Sequence, residues 1–101
     1  HDNDTMAAVI EQMSDEKKQN MLGYIGKDNC DDIIWDLIRL AYSSVAKMVV
    51  IQMQDILGLD NDSRMNIPST VGCNWKWRVD KSVLTSETAG KLKLLSKVYG
   101  R

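Results

Sequence analysis

The sequence predicts a mainly α-helical chain with at most one or two short strands. Apolar residues recur at helical spacing over residues 30–45 and again over 89–99, and capping residues precede each run. One short apolar run, Met48 to Ile51, is instead typical of a strand buried on both faces. The 101 residues allow one small domain.

Composition narrows the classes of partner. The chain is 44% apolar and 27% charged, with a net charge of -1. This near-neutral charge does not favour nucleic acid, and no apolar stretch reaches the roughly 18 residues that a membrane span needs. Cys30 and Cys73 lack metal-site spacing, and the single histidine leaves a metal shell incomplete. We therefore expect no metal, no cofactor, and two reduced thiols in a cytoplasmic protein.

Two helices are expected in the first quarter of the chain. Thr5 is a candidate cap for a helix that runs to Met13. Ser14 is a good N-cap for the second helix, and acidic residues in its first turn suit the helix dipole. Gly26 is expected to end that helix in a left-handed conformation.

The third helix carries the strongest periodic signal. Asn29 can cap it, with Asp32 three residues on as in a capping box. Its apolar stripe comprises Cys30, Ile33, Ile34, Leu37, Ile38, Ala41 and Val45.

Residues 46–53 allow two structures. Their β-branched run suits a strand, but helical spacing also continues, and no proline or glycine interrupts 29–57. The last helix is clearer: Thr85 or Ser86 caps it and Gly100 ends it. Its expected inward stripe is Ala89, Leu92, Leu95, Val98 and Tyr99.

A long loop with unusual composition runs from Arg64 to Arg78. It holds the only proline and two of the three tryptophans. Loops of this length are usually functional or disordered, and the tryptophans argue against disorder. Trp75, Trp77 and Val79 alternate with charged residues, which predicts a short extended piece with one covered face.

The chemistry of this loop has two interpretations. A tryptophan such as Trp75 can stack on the apolar face of a sugar or fill a core. Asn66 and Asn74 can hold pairs of hydroxyls or simply form turns.

The first five residues form a second candidate centre. Asp2 and Asp4 flank an amide beside the only histidine, His1. The stretch is either a solvated terminus or a carbohydrate or metal site. A catalytic-looking motif at this position leads us to expect a piece of a larger protein.

Six stretches, in this order, resemble the 4-α-glucanotransferase family, the amylomaltases or disproportionating enzymes of the α-amylase clan. They are HDNDT at 1–5, WDLIRLAYSSVAKMVVI at 35–51, QDILGL at 54–59, RMNIP at 64–68, NWKWR at 74–78, and LTSET through KVYGR at 84–101. The resemblance implies that residues 1–101 are one segment, the C-terminal end of a (β/α)8 barrel. It would follow strand 7, with strand 8 near 47–53 and a C-terminal helix at 85–99. In isolation the segment could rearrange to an all-helical form.

The resemblance also implies a function. The family transfers α-1,4-glucan chains between maltooligosaccharides with retention, which requires a carboxylate nucleophile and a second carboxylic acid. Both lie on earlier strands, so we expect the isolated chain to be inactive. Asp2 resembles the transition-state stabiliser, and His1 and Asn66 resemble substrate-binding residues. Trp75 and Asn74 are further candidate sugar contacts, and Asp4 is not expected to be catalytic.

The chain departs from the family pattern in places. Gln52 stands where the family usually has proline. Asp60, Ser69 and Cys73 stand where it usually has glycine, which permits positive φ.

Two other classes of function remain as alternatives. The first is a non-catalytic helical or self-associating module, because an isolated strand exposes unpaired edges and could pair with a second copy as a homodimer. The second is a stand-alone oligosaccharide binder that uses Trp75, Trp77 and Asn66.

Overall fold

A computed structural model describes residues 1–101 as helices joined by long loops, without a strand. This confirms the predicted mainly α class. The elements are α1 (Met6–Glu11), α2 (Asp15–Ile25), α3 (Ile33–Ser43), α4 (Met53–Ile56) and α5 (Ser86–Tyr99), with 3-10 turns at Asn61–Ser63 and Lys81–Val83. No helix has both the length and the apolar character needed to cross a membrane.

Local capping sets the ends of three helices as the sequence predicts. Thr5, Ser14 and Thr85 each accept a hydrogen bond from the backbone N–H three residues on. Gly26 and Gly100 end α2 and α5 with left-handed φ angles of 81° and 66°. A side chain there would strain the backbone, so glycine is favoured at both positions.

The start of α3 differs from the prediction. The helix begins at Ile33, because Asn29 does not cap it. Its Oδ1 accepts the N–H of Asp31 at 2.9 Å and forms a local turn that competes with the helix. Asp32 then takes a left-handed φ of 56° without a side-chain cap. Cys30 lies outside the helix and is exposed.

The end of α3 rules out one of the two structures considered for the middle of the chain. The helix stops at Ser43, and residues 44–52 are neither helix nor strand. A continuous helix over 29–57 is therefore wrong. Val45, predicted in the apolar stripe, is fully exposed. A strand near 47–53 stays a prediction, because this chain offers no second strand with which it could form a ladder.

Arg101 binds the backbone at the point where it leaves the helix. Its guanidinium donates to the carbonyl oxygens of Tyr42, Ser44 and Ala46 at 2.7, 2.9 and 2.7 Å. These carbonyls lie at and beyond the end of α3, where helical partners are missing. The last residue of the chain thus holds the start of the extended segment.

The buried core is small. Nine of the 101 residues are buried. Ile10, Leu22 and Ile33 join α1, α2 and α3 in one cluster, and Leu95 is the buried residue of α5. Ala89 and Val98, predicted to face inward, are exposed. Because the core is so small, polar contacts must hold much of the loop structure in place.

One such contact joins the end of α2 to α3. The Lys27 ammonium donates to Asp36 Oδ2 at 2.6 Å and to the carbonyl oxygen of Asp31. The hydrogen bond to Asp36 raises the pKa of Lys27 above its ordinary value of 10.5. Partial desolvation opposes this rise, and the negative charges of Asp36, Asp32 and Asp31 add to it.

The substitution Lys27→Met should destabilise the chain in a pH-dependent way. Because the folded pKa lies above the unfolded one, the stabilisation is complete below 10.5 and is lost as pH rises through the raised pKa. The difference in free energy of unfolding between variant and unmodified chain should therefore shrink in strong alkali. Lys93→Met, at an exposed position of α5, is the control and should show no such trend. A difference that stays constant through the alkaline range would contradict the assignment.

Candidate functional site

The first turn of α1 is anchored by side chains from far along the chain. The backbone N–H of Thr5 donates to Asn61 Oδ1 at 3.0 Å, and that of Met6 donates to Asp55 Oδ1 at 2.7 Å. Backbone N–H groups in a first turn have no partner within the helix. Because Thr5 is completely buried, its N–H depends on Asn61.

Asp4 adds an ion pair with Arg64 to these contacts. Its Oδ1 accepts from Asn61 Nδ2 at 3.1 Å and forms an ion pair with the Arg64 guanidinium. A charge-assisted contact to arginine is stronger than a neutral one. We call Asp4, Asp55, Asn61 and Arg64 the clasp. Its partners are separated by 49 to 60 residues in sequence.

Asp2 lies beside the clasp but in a different environment. Its Oδ1 accepts from Asn66 Nδ2 at 2.7 Å and lies 3.0 Å from His1 Nε2. The His1 ring lies 4.8 Å from the Trp75 ring, tilted by 50°. The structure therefore brings together four of the predicted site residues. The Asp2 side chain is 56% exposed, so its carboxylate is both held and open to a ligand.

Trp75 does not lie in the predicted extended piece. Its φ is 64°, in the left-handed region that bulky residues rarely adopt. Its N–H donates to the Met65 carbonyl at 2.6 Å, which bends the loop back toward its own start. Half of Trp75 is exposed, so the prediction of a covered face is wrong at this residue. Such strain is often found at functional sites.

Asn74 holds the loop together through hydrogen bonds to other loop residues. Its Oδ1 accepts the N–H of Ile67 at 2.9 Å, and its Nδ2 donates to the carbonyl and hydroxyl oxygens of Thr70 at 3.1 and 3.0 Å. Both ends of its amide are thus engaged within the loop. Between these partners Ser69 takes a φ of 63°, at one of the positions where glycine was expected.

Sequence reasoning missed the clasp residues Asp55, Asn61 and Arg64. Asp55 and Arg64 do lie in the motifs QDILGL and RMNIP, which was the available signal. Hydrophobic periodicity reports which face of a helix is buried, but not which distant backbone group a polar side chain meets.

The structure contains no group of three His, Cys, Asp or Glu side chains that could share a metal ion. Cys30 and Cys73 are exposed free thiols. An amide, an imidazole and an indole surround the Asp2 carboxylate. These groups suit the recognition of a polar ligand beside an aromatic surface.

Comparison with known proteins identifies the family. The family model described as 4-alpha-glucanotransferase matches residues 1–85. The chain belongs to this family. A 4-alpha-glucanotransferase of Synechocystis sp. is 42% identical over 101 residues, which cover all of this chain and 20% of the relative. The chloroplastic/amyloplastic 4-alpha-glucanotransferase of rice is 44% identical over 104 residues, or 18% of its length.

A solved structure also supports the assignment of the chain to this family. The amylomaltase from Streptococcus agalactiae in complex with acarbose matches with a TM-score of 0.93 and 35% identity, over all of this chain and 20% of that chain. The 4-alpha-glucanotransferase segment described here therefore has the structure of part of an amylomaltase. It spans about one fifth of the length of these relatives.

The substitution Asn61→Ala should destabilise the chain by about 1–3 kcal/mol, because it leaves the buried N–H of Thr5 without an acceptor. Urea denaturation would measure the free energy of unfolding. Asn20→Ala, on the exposed face of α2, is the matched control and should change it by no more than about 0.5 kcal/mol. Equal effects of the two substitutions would show that Asn61 does not anchor α1.

Proposed function

We propose that this chain supplies the transition-state-stabilising carboxylate, Asp2, to the active site of a 4-α-glucanotransferase. The enzyme transfers α-1,4-glucan chains between maltooligosaccharides by a retaining double displacement. The observation that carries the proposal is that Asp2 is exposed and yet held by Asn66, from the other candidate centre, at 2.7 Å. A solvated terminus would have no such long-range partner.

The chemistry requires a fixed negative charge. The transition state of glycoside cleavage resembles an oxocarbenium ion, and a carboxylate held in place before the reaction stabilises developing positive charge without reorganisation. Asn66 and His1 both meet Oδ1 of Asp2. The second oxygen therefore remains available to accept a hydrogen bond from a sugar hydroxyl.

The surroundings of Asp2 suit a glucan. His1 and Asn66 supply polar groups beside the carboxylate, and the exposed face of Trp75 can stack on a sugar ring. Asn74 contributes by holding the loop that carries Trp75, since its own amide is engaged. The related amylomaltase is described in complex with acarbose, which supports glucan-like ligands for this family.

The nucleophile and the general acid belong to parts of the enzyme outside residues 1–101. A retaining mechanism needs both, about 5 Å apart, and the family resemblance assigns them to earlier strands. The 101-residue chain alone is therefore inactive in this proposal. A cytoplasmic location fits the free thiols of Cys30 and Cys73, although the rice relative is named chloroplastic/amyloplastic.

The test is a chimera in which residues 1–101 replace the matching segment of the Synechocystis enzyme. We expect the chimera to disproportionate maltotriose and the isolated chain not to. Asp2→Asn in the chimera should lower kcat about 10²–10³-fold, because it removes a preorganised charge. Asp62→Asn, an exposed carboxylate on the 3-10 turn, is the matched control and should leave kcat unchanged.

Two results would overturn the proposal. One is a chimera whose Asp2→Asn variant retains full transfer activity. The other is disproportionation by the isolated chain that survives the same substitution.

A second property is proposed for the chain in isolation, because one segment exposes an unusual amount of apolar surface. Val45, Met48 and Val50 are 107%, 78% and 85% exposed. They lie in residues 44–52, where the backbone has no ladder partner. The unpaired edge of a strand is a template for pairing with another chain, and this apolar segment could supply such an edge. We propose that two copies of the isolated chain associate through this segment as a homodimer.

Light scattering on the isolated chain should therefore give the mass of a dimer. Val50→Lys should shift the chain toward monomer, because each dimer would have to bury two ammonium groups. Val71→Lys, at a 97% exposed valine in the long loop, is the control and should leave the dimer intact. A monomeric unmodified chain at high concentration would refute self-association.

A further inference from the structure

We infer that Arg64 is a positioning residue for the transfer reaction: it sets the place of the Asp2 carboxylate relative to the substrate without touching the substrate itself. The inference rests on the function proposed for Asp2. It concerns a residue that the family resemblance did not single out.

The contacts of the guanidinium carry the inference. Each of its three nitrogens meets a different partner: Nε donates to the Asn66 carbonyl at 2.8 Å, one terminal nitrogen pairs with the Asp4 carboxylate, and the other donates to the Asp2 carbonyl. The Arg64 side chain is only 15% exposed. Water therefore competes little for these donors.

This geometry ties together the backbones of both site residues. The planar guanidinium of Arg64 donates to both the Asp2 carbonyl and the Asn66 carbonyl. In addition, the side-chain amide of Asn66 donates to Asp2 Oδ1 at 2.7 Å. The carboxylate can then move little relative to the loop. A guanidinium has five donors in a rigid fork, whereas a lysine ammonium is a single point charge. Lysine could keep the pair with Asp4 but could not span all three acceptors.

A purely structural role makes a different prediction. If Arg64 only anchored the chain through Asp4, its loss would act like the loss of any other clasp contact. Asp55 provides that comparison, because it binds the N–H of Met6 and makes no contact with Asp2 or Asn66. Asp55→Ala should lower stability without displacing the carboxylate.

The experiment uses the active chimera with Arg64→Lys and, as the matched control, Asp55→Ala. We expect Arg64→Lys to lower kcat about 10- to 100-fold, since a misplacement of about 1 Å can cost 10²-fold. KM for maltotriose should stay within about twofold, because contacts that bind ground state and transition state equally are kept. Asp55→Ala should lower the thermal midpoint at least as much and leave kcat within about threefold.

A second variant covers the case in which lysine disrupts folding. Arg64→Ala leaves a space that free guanidinium ion can fill, and added guanidinium at non-denaturing concentration should restore part of kcat. Equal losses of kcat in Arg64→Lys and Asp55→Ala, or no rescue of Arg64→Ala, would overturn the positioning role. Full activity of Asp2→Asn in the same chimera would instead overturn the proposed function itself, so the two failures are distinguishable.

Discussion

Long-range hydrogen bonds between the first six residues and residues 55–66 are the constraint on which the candidate site depends. The N–H groups of Thr5 and Met6 lie where a helix cannot satisfy them, and Asn61 and Asp55 accept them instead. With nine buried residues, hydrophobic packing alone fixes little of the loop surface. The clasp attaches the loop to the start of α1, and Arg64 and Asn66 then hold Asp2 in place. A buried donor without a partner costs more than a hydrogen bond usually adds, which makes this polar contact specific.

Two carboxylates in one pentapeptide acquire different roles from their surroundings. Asp4 is 32% exposed in its side chain and is paired with Arg64, so it serves the anchor. Asp2 is 56% exposed and meets an imidazole and an amide, both of which leave part of it open. Composition alone cannot separate the two residues. Their exposure differs because the folded loop encloses Asp4 more than Asp2. This difference agrees with the proposal that Asp2, and not Asp4, acts on the substrate.

Features set within three or four residues were predictable from the sequence. The caps Ser14 and Thr85 and the terminating glycines of α2 and α5 are correct because each acts on its own turn. The predicted start of α3 was wrong because the Asn29 side chain accepts the N–H of Asp31, two residues on, instead of capping the helix. The end of α3 at Ser43 was not predicted, and the carbonyls there are bound by Arg101, which lies 55 to 59 residues away in sequence. The family was recognised through the order of its motifs, while Arg64 was missed because its three acceptors come together only in the folded chain.

Amide hydrogen exchange on the 101-residue chain would show whether Asn61 and Asp55 hold the start of α1. Amides at the start of a helix have no partner within the helix, so slow exchange at Thr5 and Met6 would report the side chains of Asn61 and Asp55 that accept them. Both amides should be protected to a degree comparable with that of buried Leu22, while Glu16 in the first turn of α2 should exchange freely. Exchange of Thr5 and Met6 at the rate of Glu16 would contradict the clasp.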